Sequence, residues 1–334
     1  MFLATLAFLN LGVDAAVSAL RALPATVAAL LDLHVRPVAI AHRGFGDNVG
    51  EDQARPIENT IAAVRAGYTA GAAIVEVDVQ LTADGGLAVY HDDVLPDRTC
   101  LNRLTLAELQ GRLPQIPSLQ AVLRQARALG GLLIVELKAP APLCDPYDVQ
   151  ERAIVSAVTR AIRRMRMTEQ VMLASFSPAL LVLAREEAPE IARALAVSAL
   201  QFLTAKELEA RFGLRVRRID KDVDVGLRWA EMGTAFRLPG YADVEQLLAT
   251  AAATAAGVVE LDLDLIGAMG TPLIEAVQAR GFKAFGFTAT TPEEWFVLGA
   301  LGLDGIYMND VPFGVRYQAA PPAPPEDAPL LGAR

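Results

Sequence analysis

Glu76 and Asp78 stand two residues apart in a β-branched run, Ile74-Val75-Glu76-Val77-Asp78-Val79. Alternate side chains of a strand share a face, so the two carboxylates point one way, about 7 Å apart along the backbone, and the valines point the other. A lone Glu-x-Asp on a strand is ordinarily its wet face. Here a turn, Ala83-Asp84-Gly85-Gly86, follows closely, and a second short run, Leu87 to Tyr90, leads into His91 and Asp92. A four-residue turn cannot carry a parallel crossover, so the second run must return antiparallel and bring His91 back toward the carboxylates. Like charges on one buried face repel unless a cation lies between them, and carboxylate oxygens suit a hard divalent ion. Glu136, on the apolar run Leu132–Leu137, supplies a third carboxylate, with Lys138 close by. Glu76, Asp78 and Glu136 therefore read as an oxygen cage for one divalent cation, Mg²⁺ or Ca²⁺.

His42 and Arg43 close an earlier apolar run, Val38 to Ala41. Two histidines, His42 and His91, can act as proton donor and proton acceptor near neutral pH. Arg43, whose fork matches phosphate oxygens, and Lys138 add fixed positive charge. A carboxylate-held cation, two histidines, an arginine and a lysine together describe phosphodiester cleavage. Each residue alone has an ordinary reading: His42 as a satisfied loop histidine, Lys138 as a snorkelling lysine paired with Glu136. Of the three histidines in the chain, however, two fall in these motifs. The third, His34, is given no role.

These side chains must be positioned by strands and helices that alternate. Apolar runs recur at 38–41, 74–79, 132–137, 171–174, 192–197, 258–265, 283–288 and 305–308. Helical patterns fall between most of them. One opens at Glu58-Asn59-Thr60, one at Ser118 and stops at Gly130-Gly131, and others cover 149–167, 178–188, 271–280 and 292–301. A short helix near Thr105–Gly111 carries the capping-box pair Thr105 and Glu108. Alternation of short apolar strands with helices means a parallel sheet, and eight strands predict an α/β fold closed as a (β/α)₈ TIM barrel. The candidate residues then sit at the C-terminal ends of strands, where barrel enzymes keep their chemistry. An open doubly wound sheet is the runner-up, but no GxGxxG follows any strand. The connection 198–257, between the fifth and sixth strands, is too long for a simple crossover. It predicts extra helices around 205–212, 223–233 and 243–255.

With 334 residues, 53% hydrophobic and 21% charged, the chain is globular and large enough for a sizeable core. A net charge of −9 leaves no basic footprint, which argues against nucleic acid as a partner. Any anionic substrate must be drawn by a local positive site. Cys100 and Cys144 fit no zinc spacing; two inert thiols and a bridge across the mouth of the site both stand as readings. Phe2 to Leu31 is almost wholly apolar, yet it lacks a positive leader and is interrupted by Asp14 and Arg21. A packed helix, an interfacial anchor and the end of a larger membrane region remain open. Localisation is uncertain and leans toward membrane-associated or exported over cytoplasmic. From Ala319 the Pro-rich tail is expected to be disordered.

The residues also carry a resemblance. The chain resembles glycerophosphodiester phosphodiesterases through His42-Arg43-Gly44, Glu58-Asn59-Thr60, the stretch Glu76 to Gly85, His91-Asp92, Glu136-Leu137-Lys138, Ser175-Phe176 and Asp304-Gly305-Ile306. The similarity runs from about Val38 to Pro312. It implies a (β/α)₈ barrel over 38–318 with a small insertion after the second strand, 82–117, containing His91, flanked by the apolar segment 1–37 and the tail 319–334. It implies that Glu76, Asp78 and Glu136 bind the divalent metal, that His42 and His91 are acid and base, and that Arg43 and Lys138 contact phosphate. Glu58, Ser175, Phe176 and Phe287 are the candidates it offers for the substrate pocket.

Two of the family's patterns are altered. Phe287-Thr288-Ala289-Thr290 stands where the family has Trp-Thr-Val-Asn, and Asn309-Asp310-Val311-Pro312 where it has Thr-Asp-x-Pro. The spacers 45–57 and 198–257 are also long. The expected reaction is hydrolysis of a glycerophosphodiester to glycerol 3-phosphate and an alcohol. A lysophospholipase D-type enzyme acting on a lysophospholipid at a membrane, held there by residues 2–31, is the alternative. A non-catalytic phosphate-binding barrel is the third reading, since a fold alone never fixes function.

Overall fold

The computed structural model describes residues 24–33, 36–47, 55–139, 144–145, 150–203, 215–219, 222–226 and 235–318. The strands among them, in chain order, are β1 (Val38–Ala41), β2 (Ile74–Leu81), β3 (Leu87–Val89), β4 (Leu132–Leu137), β5 (Val171–Ser175), β6 (Ala192–Val197), β7 (Arg215–Ile219), β8 (Asp222–Gly226), β9 (Ala235–Pro239), β10 (Val258–Asp262), β11 (Lys283–Ala289) and β12 (Gly305–Met308).

Eight of these, β1, β2, β4, β5, β6, β10, β11 and β12, pair in parallel in that order, and β12 returns to β1 with Ile40 opposite Tyr307. The sheet is thus a closed (β/α)₈ TIM barrel, and the open-sheet alternative is excluded by β1 pairing on both sides. Parallel strands covered on both faces read as near-continuous apolar runs, and β2 is buried along its whole length. Inward residues stack in one cluster: Val38, Ile40, Ile74, Leu132, Ile134, Met172, Phe285 and Tyr307. The alternate residues, among them Val75, Val77, Val79, Val135 and Leu173, pack outward beneath the helices. This parity turns Glu76 and Asp78 inward.

Helices Ile61–Thr69, Leu119–Leu129, Glu151–Met165, Pro178–Glu187, Val244–Ala253, Thr271–Ala279 and Pro292–Ala300 form the outer layer. Thr60, Ser118, Ser177, Asp243 and Thr291 accept the orphan amides at five of their N-termini. Gly130 ends one of them at φ +66°. As expected, β3 pairs antiparallel with the end of β2, with Val79 opposite Val89. The insertion behind it has its own small core of Ala88, Leu95, Leu101, Leu104, Leu109 and Ile116. Its helix Leu106–Arg112 carries the expected capping box.

Two expectations need correction. The excursion between β6 and β10 contains the predicted third helix, but Asp222–Gly226 is a strand where a helix from 223 was expected. It pairs antiparallel with both β7 and β9. The period is the reason: in Asp222-Val223-Asp224-Val225 apolar residues alternate every second position, which suits a strand and not a helix. The region 205–212 lies outside the described residues. Residues 258–265 were expected as one strand, but Asp262 caps a helix at Leu263–Met269 by accepting the Leu265 amide, so β10 stops there.

Of the apolar N-terminal segment, 1–23 lie outside the described residues, as does the tail 319–334. The described end forms a short helix, Val27–Leu31, whose Val27 and Leu30 join the barrel-interior cluster and close its floor. Fully burying a side chain such as Leu30 contributes about 1.5–3 kcal/mol. Among the described residues no helix is long and apolar enough to cross a membrane.

Candidate active site

The C-terminal ends of β1, β2 and β4 converge. Glu76, Asp78 and Glu136 each bring a carboxylate oxygen within 4.8 Å of the other two, and the first two are buried. β2 and β4 pair with Asp78 opposite Glu136, so neighbouring inward positions hold two of the acids side by side.

Their charges are managed unequally. Burial pushes the Glu76 carboxyl well above the ordinary carboxylate range, and the nearby Asp78 and Glu136 push it further. Burial acts on Asp78 in the same direction but is outweighed by Lys138, His91 and Arg43, so its carboxyl is held well below that range. Lys138 Nζ lies 2.7 Å from Glu136 Oε1 and 3.1 Å from Asp78 Oδ1. Asn59, at φ +57°, donates from Nδ2 to Asp78 Oδ2 at 2.8 Å and accepts the Asp78 amide on its Oδ1 at 3.0 Å. The Asn of the Glu58-Asn59-Thr60 motif was not singled out from the sequence; its pattern as a helix opening masked the contact.

Arg43 sits in a left-handed turn, φ +47°, that aims its main-chain N–H at Glu76 Oε2 over 2.8 Å. Gly44 follows at φ +96°, where a Cβ would stand 2.7 Å from that of Ala63, so only glycine fits. The Arg43 guanidinium donates to Glu58 Oε1 at 2.9 Å. Its buried Nε, 3.6 Å from Asp78 Oδ2, makes no hydrogen bond among the described residues.

His42 and His91 flank this cluster and differ in their surroundings. Burial, with Arg43 next to it, lowers the His42 imidazole to about 4, against the hydrogen bond between its Nδ1 and Asn309 Oδ1, 2.8 Å apart. His91 Nδ1 lies 2.7 Å from Asp92 Oδ1, at a more open position. Gln80, inward on β2 beyond Asp78, donates to the carbonyls of Tyr90 and His91 and so anchors the segment that carries the second histidine. Cys100 and Cys144 are joined by a disulfide, which ties the insertion to the loop after β4. The two readings of these cysteines are thereby resolved.

Of the pocket candidates, Glu58 reaches the site through Arg43. Phe176 and Phe287 pack edge to face at 5.7 Å, and Phe287 meets Tyr307, which meets His42 in turn, each at 6.2 Å. Ser175 is turned away. It shares the outward parity of Leu173, and its Oγ donates to the Leu137 carbonyl at 2.8 Å. Tyr307 is itself a residue the sequence did not mark. Its hydroxyl donates to Glu260 Oε1 at 2.5 Å, and burial pushes that glutamate up to about 8.

A cation fits this donor set. Three carboxylates converge on one place, with Glu76 driven toward its neutral form by burial and then by the other two, and all donors are hard oxygens.

The chain is 29% identical over 173 residues to the uncharacterized protein YqiK of Bacillus subtilis, covering 47% of this chain and 65% of the relative. It is 31% identical over 161 residues to a glycerophosphodiester phosphodiesterase of Caldanaerobacter subterraneus subsp. tengcongensis, covering 43% of this chain and 59% of the relative. The matches thus span less than two thirds of the length of these curated relatives. Among solved structures, a putative glycerophosphoryl diester phosphodiesterase from Silicibacter pomeroyi superposes with a TM-score of 0.65 at 19% identity, over 88% of this chain and 97% of that one. An Oleispira antarctica phosphodiesterase in complex with the product sn-glycerol-3-phosphate gives 0.60 at 21% identity, over 84% and 96%. At such identities the likeness is one of fold. Residues 42–312 match the glycerophosphoryl diester phosphodiesterase family across most of the chain, and the protein belongs to that family.

Proposed function

We propose that the protein hydrolyses glycerophosphodiesters to glycerol 3-phosphate and an alcohol, with one divalent cation and the two histidines as acid and base. The observation that carries this reading is the placement of His42 and His91 around one cluster of three carboxylates and two cations at the barrel mouth. Family membership supports this product, as does the Oleispira antarctica relative, whose complex holds sn-glycerol-3-phosphate.

Glu76, Asp78 and Glu136 would hold the cation, which when bound supplies positive charge against the developing negative charge on phosphate. Arg43 is tethered by Glu58, and its Nε, without a hydrogen bond among the described residues, is suited to a phosphate oxygen. Lys138 places a second cation on the same side. His42, kept neutral by burial, takes the proton of the attacking hydroxyl or water as its oxygen bonds to phosphorus. His91, backed by the Asp92 carboxylate, gives a proton to the alcohol oxygen as its bond to phosphorus breaks.

The roles are tested with a leaving group that needs no proton. His91→Ala should retain far more activity on a p-nitrophenyl phosphodiester than on glycerophosphocholine, while His42→Ala loses both alike. Equal losses in both variants would contradict the division. The lysophospholipid alternative is favoured by one feature, the half-buried aromatic wall of Phe176 and Phe287. Turnover of lysophosphatidylcholine compared with glycerophosphocholine separates the two.

A further inference from the structure

We infer that Asn309 is a positioning residue that holds His42 in its Nδ1–H form and leaves Nε2 as the proton-accepting atom. The inference rests on the reading of His42 as an acid–base group.

β12 and β1 pair with Met308 opposite Ala41, so Asn309 and His42 leave adjacent strands side by side at the mouth. Among the described residues, Asn309 Oδ1 lies 2.8 Å from His42 Nδ1 and 3.1 Å from the main-chain nitrogen of Asp47. An amide N–H of the main chain can only donate. The side-chain atom facing it must therefore be the Asn309 carbonyl oxygen, because the flipped arrangement would set NH₂ against N–H. An oxygen facing Nδ1 requires that Nδ1 carry the proton. Asp47 Oδ2, 3.9 Å from Nδ1, is also an acceptor. In a neutral imidazole with Nδ1 protonated, the lone pair belongs to Nε2.

Asn309 is itself held from several sides. Its N–H donates to the Ala289 carbonyl at 3.0 Å, and its own carbonyl accepts from Arg55 Nη1 at 3.2 Å. The loop leaving His42 bends over it: Gly46 N–H donates to the His42 carbonyl at 2.7 Å, and a Cβ on Gly46 would come within 2.4 Å of the Asn309 carbonyl oxygen. The amide is thus a fixed acceptor. Being uncharged, it selects the tautomer without the added attraction for imidazolium that a carboxylate would exert there.

The test uses the full chain labelled with ¹⁵N-histidine and long-range ¹H–¹⁵N correlation at pH 7.5. Three histidines give three ring patterns, and that of His42 is identified by its loss in His42→Gln. The expected result is protonated Nδ1 and free Nε2 in the wild type. In Asn309→Leu the Nε2–H form should gain population, while kcat falls about 10²-fold, within the range general base catalysis supplies, and KM changes little. Should Asn309→Leu fail to fold, Asn309→Asp keeps the acceptor; it should preserve the Nδ1–H signature and move the acidic limb of the kcat profile to higher pH. Protonated Nε2 in the wild type, or an unchanged tautomer and kcat in Asn309→Leu, or an unmoved acidic limb in Asn309→Asp, overturns the inference. A wild type with the stated tautomer but no phosphodiesterase activity would instead contradict the proposed function and leave the positioning intact.

Discussion

Asn59 and Asp78 exchange two hydrogen bonds, side chain to side chain at 2.8 Å and amide to side chain at 3.0 Å. The pair joins the loop after β1 to the buried acid at the centre of the cluster. One oxygen of Asp78 is turned to Asn59, while the other lies 3.1 Å from Lys138 Nζ. Partners of this kind orient ligating carboxylates and are costly to lose.

Asn59→Ala should therefore weaken divalent-cation binding by about 10- to 100-fold. It should also cost roughly 1–3 kcal/mol of stability, from a buried acid left short of partners. Calorimetric titration with Mg²⁺ and Ca²⁺, and thermal melting in chelator, check the two effects separately.

Glu76→Gln should trade function for stability. Glu76 has its folded carboxyl raised by burial and by Asp78 and Glu136, so it favours the folded state below its unfolded range and opposes it as pH rises above that range. In chelator near pH 7 the variant should melt at or above the wild type. Added divalent cation should raise the melting temperature of the wild type and not of the variant. A variant that melts well below the wild type in chelator would count against like-charge crowding.

Glu260 gives a second pH signature. Its carboxyl is pushed up to about 8 by burial, so wild-type stability should fall as pH rises from the unfolded range through 8. His42, lowered to about 4, contributes the opposite slope, but only between about 4 and 6.5. Between pH 6.5 and 8, Glu260→Gln should flatten the loss by up to about 1.4 kcal/mol per pH unit. Denaturant melts at four pH values measure it, and an unchanged slope would show that the buried glutamate ionises freely.

The disulfide closes a separation of 44 residues between the insertion and the loop after β4. Loop-closure entropy for that length is worth about 4 kcal/mol. Reduction, or Cys100→Ser with Cys144→Ser, should lower the melting temperature and reduce turnover of glycerophosphocholine. The Asn102 side chain also ties the insertion carrying His91 there, donating to the Cys144 carbonyl at 3.0 Å.

The barrel and much of the site were legible because each rests on local pattern. Strands such as Ile74–Leu81 announce themselves by apolar runs, and strand parity alone places Glu76 and Asp78 together. Residues whose meaning depends on closure were not legible. Asn309 lies 267 positions from His42, and Tyr307 reads as one more aromatic strand residue until β12 returns to β1. Ser175 belongs to a motif, but its parity at the end of β5 decides its direction. In Asp222–Gly226 the two-residue period marks a strand, against the helix that the length of the excursion suggests.

The identity of the bond that is broken tests the proposed hydrolysis most directly. Wild-type protein incubated with sn-glycero-3-phosphocholine and Mg²⁺ or Ca²⁺, followed by ³¹P NMR, should yield glycerol 3-phosphate and free choline. Chelator should abolish the signal, and either cation added back should restore it. Release of phosphocholine in place of glycerol 3-phosphate, or turnover that persists undiminished in chelator, would contradict the account.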